Sequence, residues 1–292
     1  MGHKCSLSWY NLRIMRILIT GARGMLGTEL VAALAGHQVT GVDVEQGDLT
    51  EWEAAWQVVE AAQPELVIHT AAMTDVDGCE REPERAWRHN ALATWHVAAA
   101  CQRLGAELAY LSTDFVFDGT KGAPYHEFDE PRPLGSYGLT KLAGERLVRE
   151  LCPRHYVVRT AWLFGRTGKN FVRTIVAKAA PGAPLRVVGD QVGSPTYAAD
   201  LAGAIARHIV GNPCYGTYHI TNAGSCSWAD LARAAIAAAG LECAVEDIPA
   251  SAWPSPTRRP AYSVLDHLAL RMQGRDDLRP WQEAVAEMVR SA

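Results

Sequence analysis

The chain has 292 residues, 48% of them apolar and 21% charged, with a formal net charge of -4. That length and apolar share suit one large α/β domain or a core domain with a smaller lobe, and the scattered lysines and arginines form no dense basic run of the kind a nucleic-acid surface needs. The seven cysteines are odd in number, widely spaced and without a C-x-x-C pair, and no apolar run reaches membrane length, so the reading is a protein of the reducing cytoplasm with a small-molecule task, no disulfide framework, no zinc site and no membrane partner.

Residues 1–14, MGHKCSLSWYNLRI, lack the apolar core of a secretion signal and read as an extension, with Met15 as an alternative start. After it, RILIT (16–20), QVTGVD (38–43), ELVIH (65–69), ELAYLS (107–112) and HYVVRT (155–160) are short apolar or β-branched runs, as buried strands carry. Between them MLGTELVAALAG, TEWEAAWQVVEAA, PERAWRHNALATWHVAAACQRLG and LAGERLVREL have helical spacing and good helix formers. Thr50 and Glu53 are spaced for a capping box at the start of the second. Parallel neighbours need a crossover, so this alternation predicts a doubly wound, Rossmann-like parallel sheet with helices on both faces.

Beyond residue 160 glycine and proline become frequent, while AADLAGAIARHIV and YGTYHIT look like one helix and one strand returning to the sheet. The expected division is a dinucleotide-binding domain of residues 15–160 plus about 197–221, and a substrate-binding lobe of about 161–196 plus 222–292. Open parallel sheets bind ligands beyond the carboxyl ends of their strands, which directs attention to the loops.

The first loop, TGARGMLG (20–27), has Gly21, Gly24 and Gly27 between a strand and a helix. Glycines there let the backbone approach a pyrophosphate at a helix N-terminus; a tight turn with nothing bound is the plainer alternative. The spacing is G-x-x-G-x-x-G, not the general G-x-G-x-x-G fingerprint. Asp43 ends strand two, where a carboxylate can hold a ribose diol and favours NADH. Arg23, inside the glycine loop, can instead pair with the 2'-phosphate of NADPH or be an ordinary solvated arginine, so both cofactors stay open. After strand three, Thr70, Ala71 and Ala72 are small enough for a cofactor to lie against the backbone, or are ordinary small-residue packing. After strand four, STDFVFDG (112–119) puts Ser112, Thr113 and Asp114 at one strand end, with Thr113 a catalytic candidate.

Tyr137 and Lys141 in SYGLTKLAGE (136–145) are four apart and share one helix face. An ammonium beside a phenol favours phenolate, and bringing a tyrosine from about 10 to about 7 takes roughly 4 kcal/mol, within reach of a nearby cation and a hydrogen-bond network in a dry site. Alone the pair is a weak signal; in the order glycine loop, acidic strand end, small-residue loop, Ser-Thr strand end, it is a strong one. The ten histidines show no H-x-x-x-H spacing, so no protein-built metal site is expected, although a carboxylate-bound Mg2+ at a subunit contact of a homodimer is compatible with the sequence.

With ILITGARGMLG, HTAAMTDVDGCE, LSTDFVFDG, YGLTKLAGE, RTAWLFG, GKNFVRTI, DQVGSPTYAADLA and RRPAYSVLD in this order, the chain resembles the extended short-chain dehydrogenase/reductase family, and within it the nucleotide-sugar reductases, from Met15 almost to the C-terminus. The resemblance implies reduction of the C4 ketone of a dTDP-6-deoxy-4-keto-hexose, yielding dTDP-L-rhamnose, with NADPH or NADH. It further implies that Tyr137 donates the proton, that Lys141 holds the nicotinamide ribose and acidifies Tyr137, and that Thr113 steadies the carbonyl. Asp114 and Trp162 would lie against the sugar, while Gly24, Met25, Leu26, Asp43, Asp48, Leu49, Ala71 and Ala72 would line the cofactor. Arg259, in RRPAYS, is an additional candidate for a pyrophosphate contact. Phe115 stands where the family frequently has tyrosine, and where a family dehydratase would carry a glutamate base, so dehydration is disfavoured; an epimerase usually lacks STDxVFDG and ranks below reduction. A non-catalytic relative, the regulatory subunit of methionine adenosyltransferase, shares fold and cofactor site and is the alternative from another class.

Overall fold

The computed structural model describes residues 13–291. Residues 1–12 of the expected extension lie outside the described residues. The first half runs β1 (Arg16–Thr20), α1 (Met25–Ala33), β2 (Gln38–Val42), α2 (Trp52–Ala62), β3 (Leu66–His69), α3 (Val76–Arg81), α4 (Pro83–Trp87), α5 (Ala93–Leu104), β4 (Glu107–Thr113), α6 (Ser136–Leu151) and β5 (His155–Thr160). There follow β6 (Leu163–Phe164), α7 (Phe171–Lys178), β7 (Leu185–Val188), β8 (Val192–Gly193), β9 (Thr196–Tyr197), α8 (Ala198–His208) and β10 (Gly216–His219). Last come β11 (Cys226–Ser227), α9 (Trp228–Ala238), β12 (Val245–Ile248), α10 (Leu268–Met272) and α11 (Trp281–Arg290).

All five predicted runs are strands, and with β10 they form a six-stranded sheet of order β10-β5-β4-β3-β1-β2, every pairing parallel. The strand residues explain why both faces are covered. Ile17 and Ile19 join one apolar cluster, with Leu30, Leu201 and Ile205 from α1 and α8; Leu18 joins the other, with Val97 and Val148 from α5 and α6. Side chains alternate faces along a strand, so the consecutive apolar residues Ile17, Leu18 and Ile19 demand a helix layer on each side. The order reverses at β1, whose neighbours are β2 and β3, so a crevice opens beyond the carboxyl ends of β1 and β3. Around Phe164, Val172, Ile175, Leu231, Trp281 and Val285 a separate cluster forms, built from α7, α9 and α11 with short pairs β7/β12 and β8/β11.

Two local expectations are corrected. Thr50 and Glu53 do not form a capping box: the residue that caps α2 is Glu51, without a side-chain bond, because Asp48 takes the Thr50 N–H at 2.9 Å and turns the chain one residue later. The capping box that does form is Ser227 with Asp230 at the start of α9. The long helix predicted over PERAWRHNALATWHVAAACQRLG is interrupted by a π-helical turn, Arg88–Leu92, between α4 and α5. Such turns recur at functional sites because they re-aim one side chain, and here that side chain is Asn90. The six cysteines among the described residues are unpaired.

Candidate active site

A cavity of about 950 Å³ lies along the carboxyl ends of the sheet, near the top of the range for small-molecule pockets, roughly 300–1,000 Å³. Every residue singled out from the sequence for cofactor, catalysis or substrate lines it, from Gly21 in the first loop to Arg259 near the C-terminus.

The glycine loop is shaped by contact. Gly21 has φ +69°, and a Cβ there would stand 2.9 Å from the Ala71 nitrogen, so both the turn and the neighbouring β3 loop require glycine. Gly24 is extended and caps α1 with no side-chain bond, leaving the first-turn N–H groups of Met25 and Leu26 without a side-chain acceptor. At Gly27 a Cβ would come 2.7 Å from the Ala22 Cα, so α1 sits directly on the loop. Asp43 closes the site's edge: Oδ2 accepts from Arg23 N at 3.1 Å and Oδ1 from Val44 N at 2.9 Å. The Arg23 guanidinium is 2.7 Å from Glu45, both exposed. Thr70 Oγ1 donates to the Thr20 carbonyl at 2.6 Å, tying the small-residue loop to β1. Asp48 is held below the usual carboxylate range first by the Thr50 N–H, and with Leu49 it completes this wall. Unpartnered helix N–H groups over glycines, a strand-end carboxylate and the small Ala71 and Ala72 together fit a nicotinamide dinucleotide.

At the other end of the cavity Thr113, at the end of β4, meets Tyr137 at the start of α6. Gly138 makes that approach feasible, since a Cβ there would collide with the Phe115 carbonyl and stand 2.9 Å from Pro133. The Phe115 and Tyr137 rings meet edge to face at 5.6 Å. Helix α6 starts where it does because Glu80, from the β3 loop and α3, accepts from Ser136 N at 2.9 Å. Asn90 locks the same corner, accepting from Met73 N at 2.8 Å and donating to Thr140 Oγ1 at 3.1 Å.

The electrostatics differ from the sequence expectation. Burial pushes the Tyr137 phenol above its ordinary range; a hydrogen bond with Thr113 pulls it down, while the charges of Asp114 and Cys79 add to the rise. Lys141 does not supply the expected acidification, because its ammonium lies 4.1 Å from the centroid of the Tyr110 ring, which His69 stacks from beyond. Burial lowers Lys141 itself to about 7, opposed by the charges of Glu145 and Cys79. Burial therefore keeps the proton on Tyr137, the state a proton donor needs. Asp114, 1% exposed, is raised to about 6 by burial, against hydrogen bonds from Ser263 and Thr113.

Trp162 is held in a strained pose. Its φ of +46° is rare for a bulky residue and costs about 1–3 kcal/mol. Its ring stacks on Trp228 with centroids 3.5 Å apart at 7°, and a Cβ at Gly193 would lie 2.6 Å from its Nε1. We expect Gly193→Ala to displace the indole and raise the substrate KM about tenfold, corresponding to roughly 1.4 kcal/mol of overpacking, with dinucleotide affinity by fluorescence titration unchanged. Arg259 reaches the cavity with Nη2 3.0 Å from Asp77 Oδ1.

Sequence reasoning passed over Asn90, Trp228, Lys169 and Ser263. Trp228 had one available signal, as an aromatic directly after the Ser227 helix cap; Asn90 and Ser263 depend on contacts between distant segments, and Lys169 lines the cavity. Among the described residues no group of three or more His, Cys, Asp or Glu is placed to hold a metal ion, and no helix is long and apolar enough to cross a membrane.

The chain is similar to known proteins along most of its length. The family described as RmlD substrate binding domain matches residues 15–292. The chain is 42% identical over 279 residues to a dTDP-4-dehydrorhamnose reductase of Mycolicibacterium smegmatis, covering 94% of this chain and 85% of that protein. A crystal structure of a dTDP-4-dehydrorhamnose reductase from Clostridium acetobutylicum superposes with a TM-score of 0.92 at 41% identity, covering 95% of this chain and 99% of the other. A Bacillus anthracis dTDP-4-dehydrorhamnose reductase solved in complex with NADP gives 0.92 at 38% identity, covering 96% and 100%. With glycine loop, strand-end carboxylate and the Thr113, Tyr137 and Lys141 group in one cavity, and with this match along nearly its whole length, the chain belongs to the RmlD substrate binding domain family.

Proposed function

We propose that this protein reduces the C4 ketone of a dTDP-6-deoxy-4-keto-hexose, converting dTDP-4-dehydro-L-rhamnose to dTDP-L-rhamnose with NADPH or NADH. The observation that carries the reading is the meeting of Thr113, Tyr137 and Lys141 at the end of a cavity whose other end is a dinucleotide-shaped loop. When bound, the dinucleotide supplies the hydride. Tyr137 gives its proton to the oxygen of the ketone as that oxygen becomes an alkoxide, and burial keeps the proton on Tyr137 until then. Thr113 steadies that oxygen. Lys141 holds the nicotinamide ribose, its ammonium set against the Tyr110 ring. Gly21, Gly24, Gly27, Met25 and Leu26 hold the pyrophosphate, Asp43 and Arg23 the adenosine ribose side, and Asp48, Leu49, Thr70, Ala71 and Ala72 the remaining cofactor wall. Asp114 and Trp162 lie against the sugar, and Arg259 approaches its pyrophosphate from the lobe of about 161–196 plus 222–292. A homodimer in the reducing cytoplasm completes this reading; sedimentation of the full chain tests the dimer.

Steady-state oxidation of NADPH and of NADH by purified protein with the dTDP-4-keto-6-deoxy sugar tests the proposal. Turnover with at least one cofactor is expected. Binding of either dinucleotide without turnover would favour the non-catalytic binding module instead.

A further inference from the structure

Residues 255–265 form a strap that reaches the cavity at Arg259. At one end Ser255 Oγ and the Arg259 guanidinium bond Asp77, each at 3.0 Å, and Thr257 Oγ1 donates to the Val76 carbonyl at 3.3 Å. Further along, Ser263 N donates to the Val192 carbonyl at 2.9 Å, and Leu265 bridges to Tyr125. Between these ends, Ser263, 1% exposed, donates from Oγ to Asp114 Oδ2 at 2.6 Å. The other carboxyl oxygen of Asp114 accepts from Thr113 Oγ1 at 3.1 Å, and Thr113 Oγ1 in turn accepts from Phe115 N at 3.2 Å.

A threonine hydroxyl has one proton. While Asp114 is ionised, that proton is drawn to the carboxylate and Thr113 presents only lone pairs to the cleft. Once Asp114 is protonated, the carboxyl can donate to Thr113, and the threonine proton is free to meet a ligand oxygen. Resting on the reduction proposed above, we propose that Ser263 is a positioning residue which, through Asp114, sets the direction in which Thr113 donates its proton. The groups facing Asp114 are Ser263 on the strap, Thr113 and the Phe115 backbone after β4, and Tyr137 on α6, with Lys141 in the same cavity. The bond from Ser263 favours the carboxylate, so its loss raises the carboxyl from about 6. Turnover that needs the protonated carboxyl then persists to higher pH.

The test is the pH profile of kcat for Ser263→Ala and Asp114→Asn beside the wild type. In Ser263→Ala the limb along which activity falls on raising the pH past about 6 is expected to move up by about one pH unit. In Asp114→Asn it is expected to vanish, leaving a limb from Lys141 at about 7 unmoved in both. A uniform loss of kcat with the limb near pH 6 in place, or a limb near pH 6 that survives in Asp114→Asn, overturns the proposal. Carbon-13 NMR of the Asp114 carboxyl in full-length wild type and Ser263→Ala reads the same shift without turnover, and an unmoved midpoint also overturns it. Absence of turnover in the wild type counts against the proposed reduction, a separate failure.

Discussion

Tyr137→Phe is expected to lower kcat by about 10²- to 10⁴-fold, the usual range for removing a general acid, while leaving dinucleotide affinity close to wild type. The ring stays, so the edge-to-face contact with Phe115 and the packing of α6 through Gly138 survive. What disappears is one oxygen and its proton. Because burial keeps that proton on the phenol, the wild type should show no loss of activity from phenol ionisation anywhere in the neutral range. Substrate KM should change little, since an interaction made mainly in the transition state shows itself in kcat. Steady-state kinetics over a range of sugar concentrations, with fluorescence titration of the dinucleotide, separates the two parameters. A variant with more than a tenth of wild-type kcat would move the proton donor elsewhere.

Glu145→Ala is expected to destabilise the fold by roughly 3–5 kcal/mol, the cost of leaving a buried partner charge uncompensated. Glu145 is fully buried, two turns of α6 beyond Tyr137. Arg159 from β5 clasps it with Nε and Nη2 at 2.8 and 2.7 Å, Arg149 adds a bond at 2.8 Å, and Ser112 Oγ donates to it at 2.6 Å. Removing the carboxylate strands the Arg159 guanidinium, itself 2% exposed, and frees the strand end that carries Thr113. Thermal unfolding should show a midpoint lower by something on the order of 10 °C. Burial alone would raise the Glu145 carboxyl, but Arg159, Arg149 and Ser112 hold it below its ordinary 4.5. A depressed carboxyl contributes its stability fully above that ordinary value and loses it as pH falls through the folded value. The gap between wild type and variant should therefore close in acid; a gap independent of pH would point to lost packing in place of lost charge.

What could be read from the chain alone divides by distance along it. Runs such as RILIT and ELVIH, each with three consecutive apolar residues, declare a strand covered on both faces, and the alternation with helices declares the parallel sheet. Two of the three loop glycines are dictated by geometry, Gly21 by a φ of +69° and Gly27 by contacts under 3 Å with the Ala22 backbone. Local rules failed where a neighbour outbid them: the Thr50 amide went to Asp48, so the expected cap at α2 did not form. The larger error concerned Tyr137. Four-residue spacing puts Lys141 on the same helix face, but which ring its ammonium meets is decided by β4, where Tyr110 lies beneath it. Ser263 is 149 residues from Asp114 and Trp228 stacks on Trp162 across the lobe; neither contact leaves a periodic or local trace.

In the proposed reaction a hydride arrives at one carbon while Tyr137 protonates the attached oxygen. The most direct measurement is a turnover run with reduced dinucleotide carrying deuterium at both positions of nicotinamide C4, followed by NMR of the sugar product. Deuterium at C4 of a dTDP-6-deoxyhexose, bonded to the carbon that bears the new hydroxyl, is the predicted result. Consumption of the sugar with no deuterium at C4, or with the label at another carbon, would contradict it.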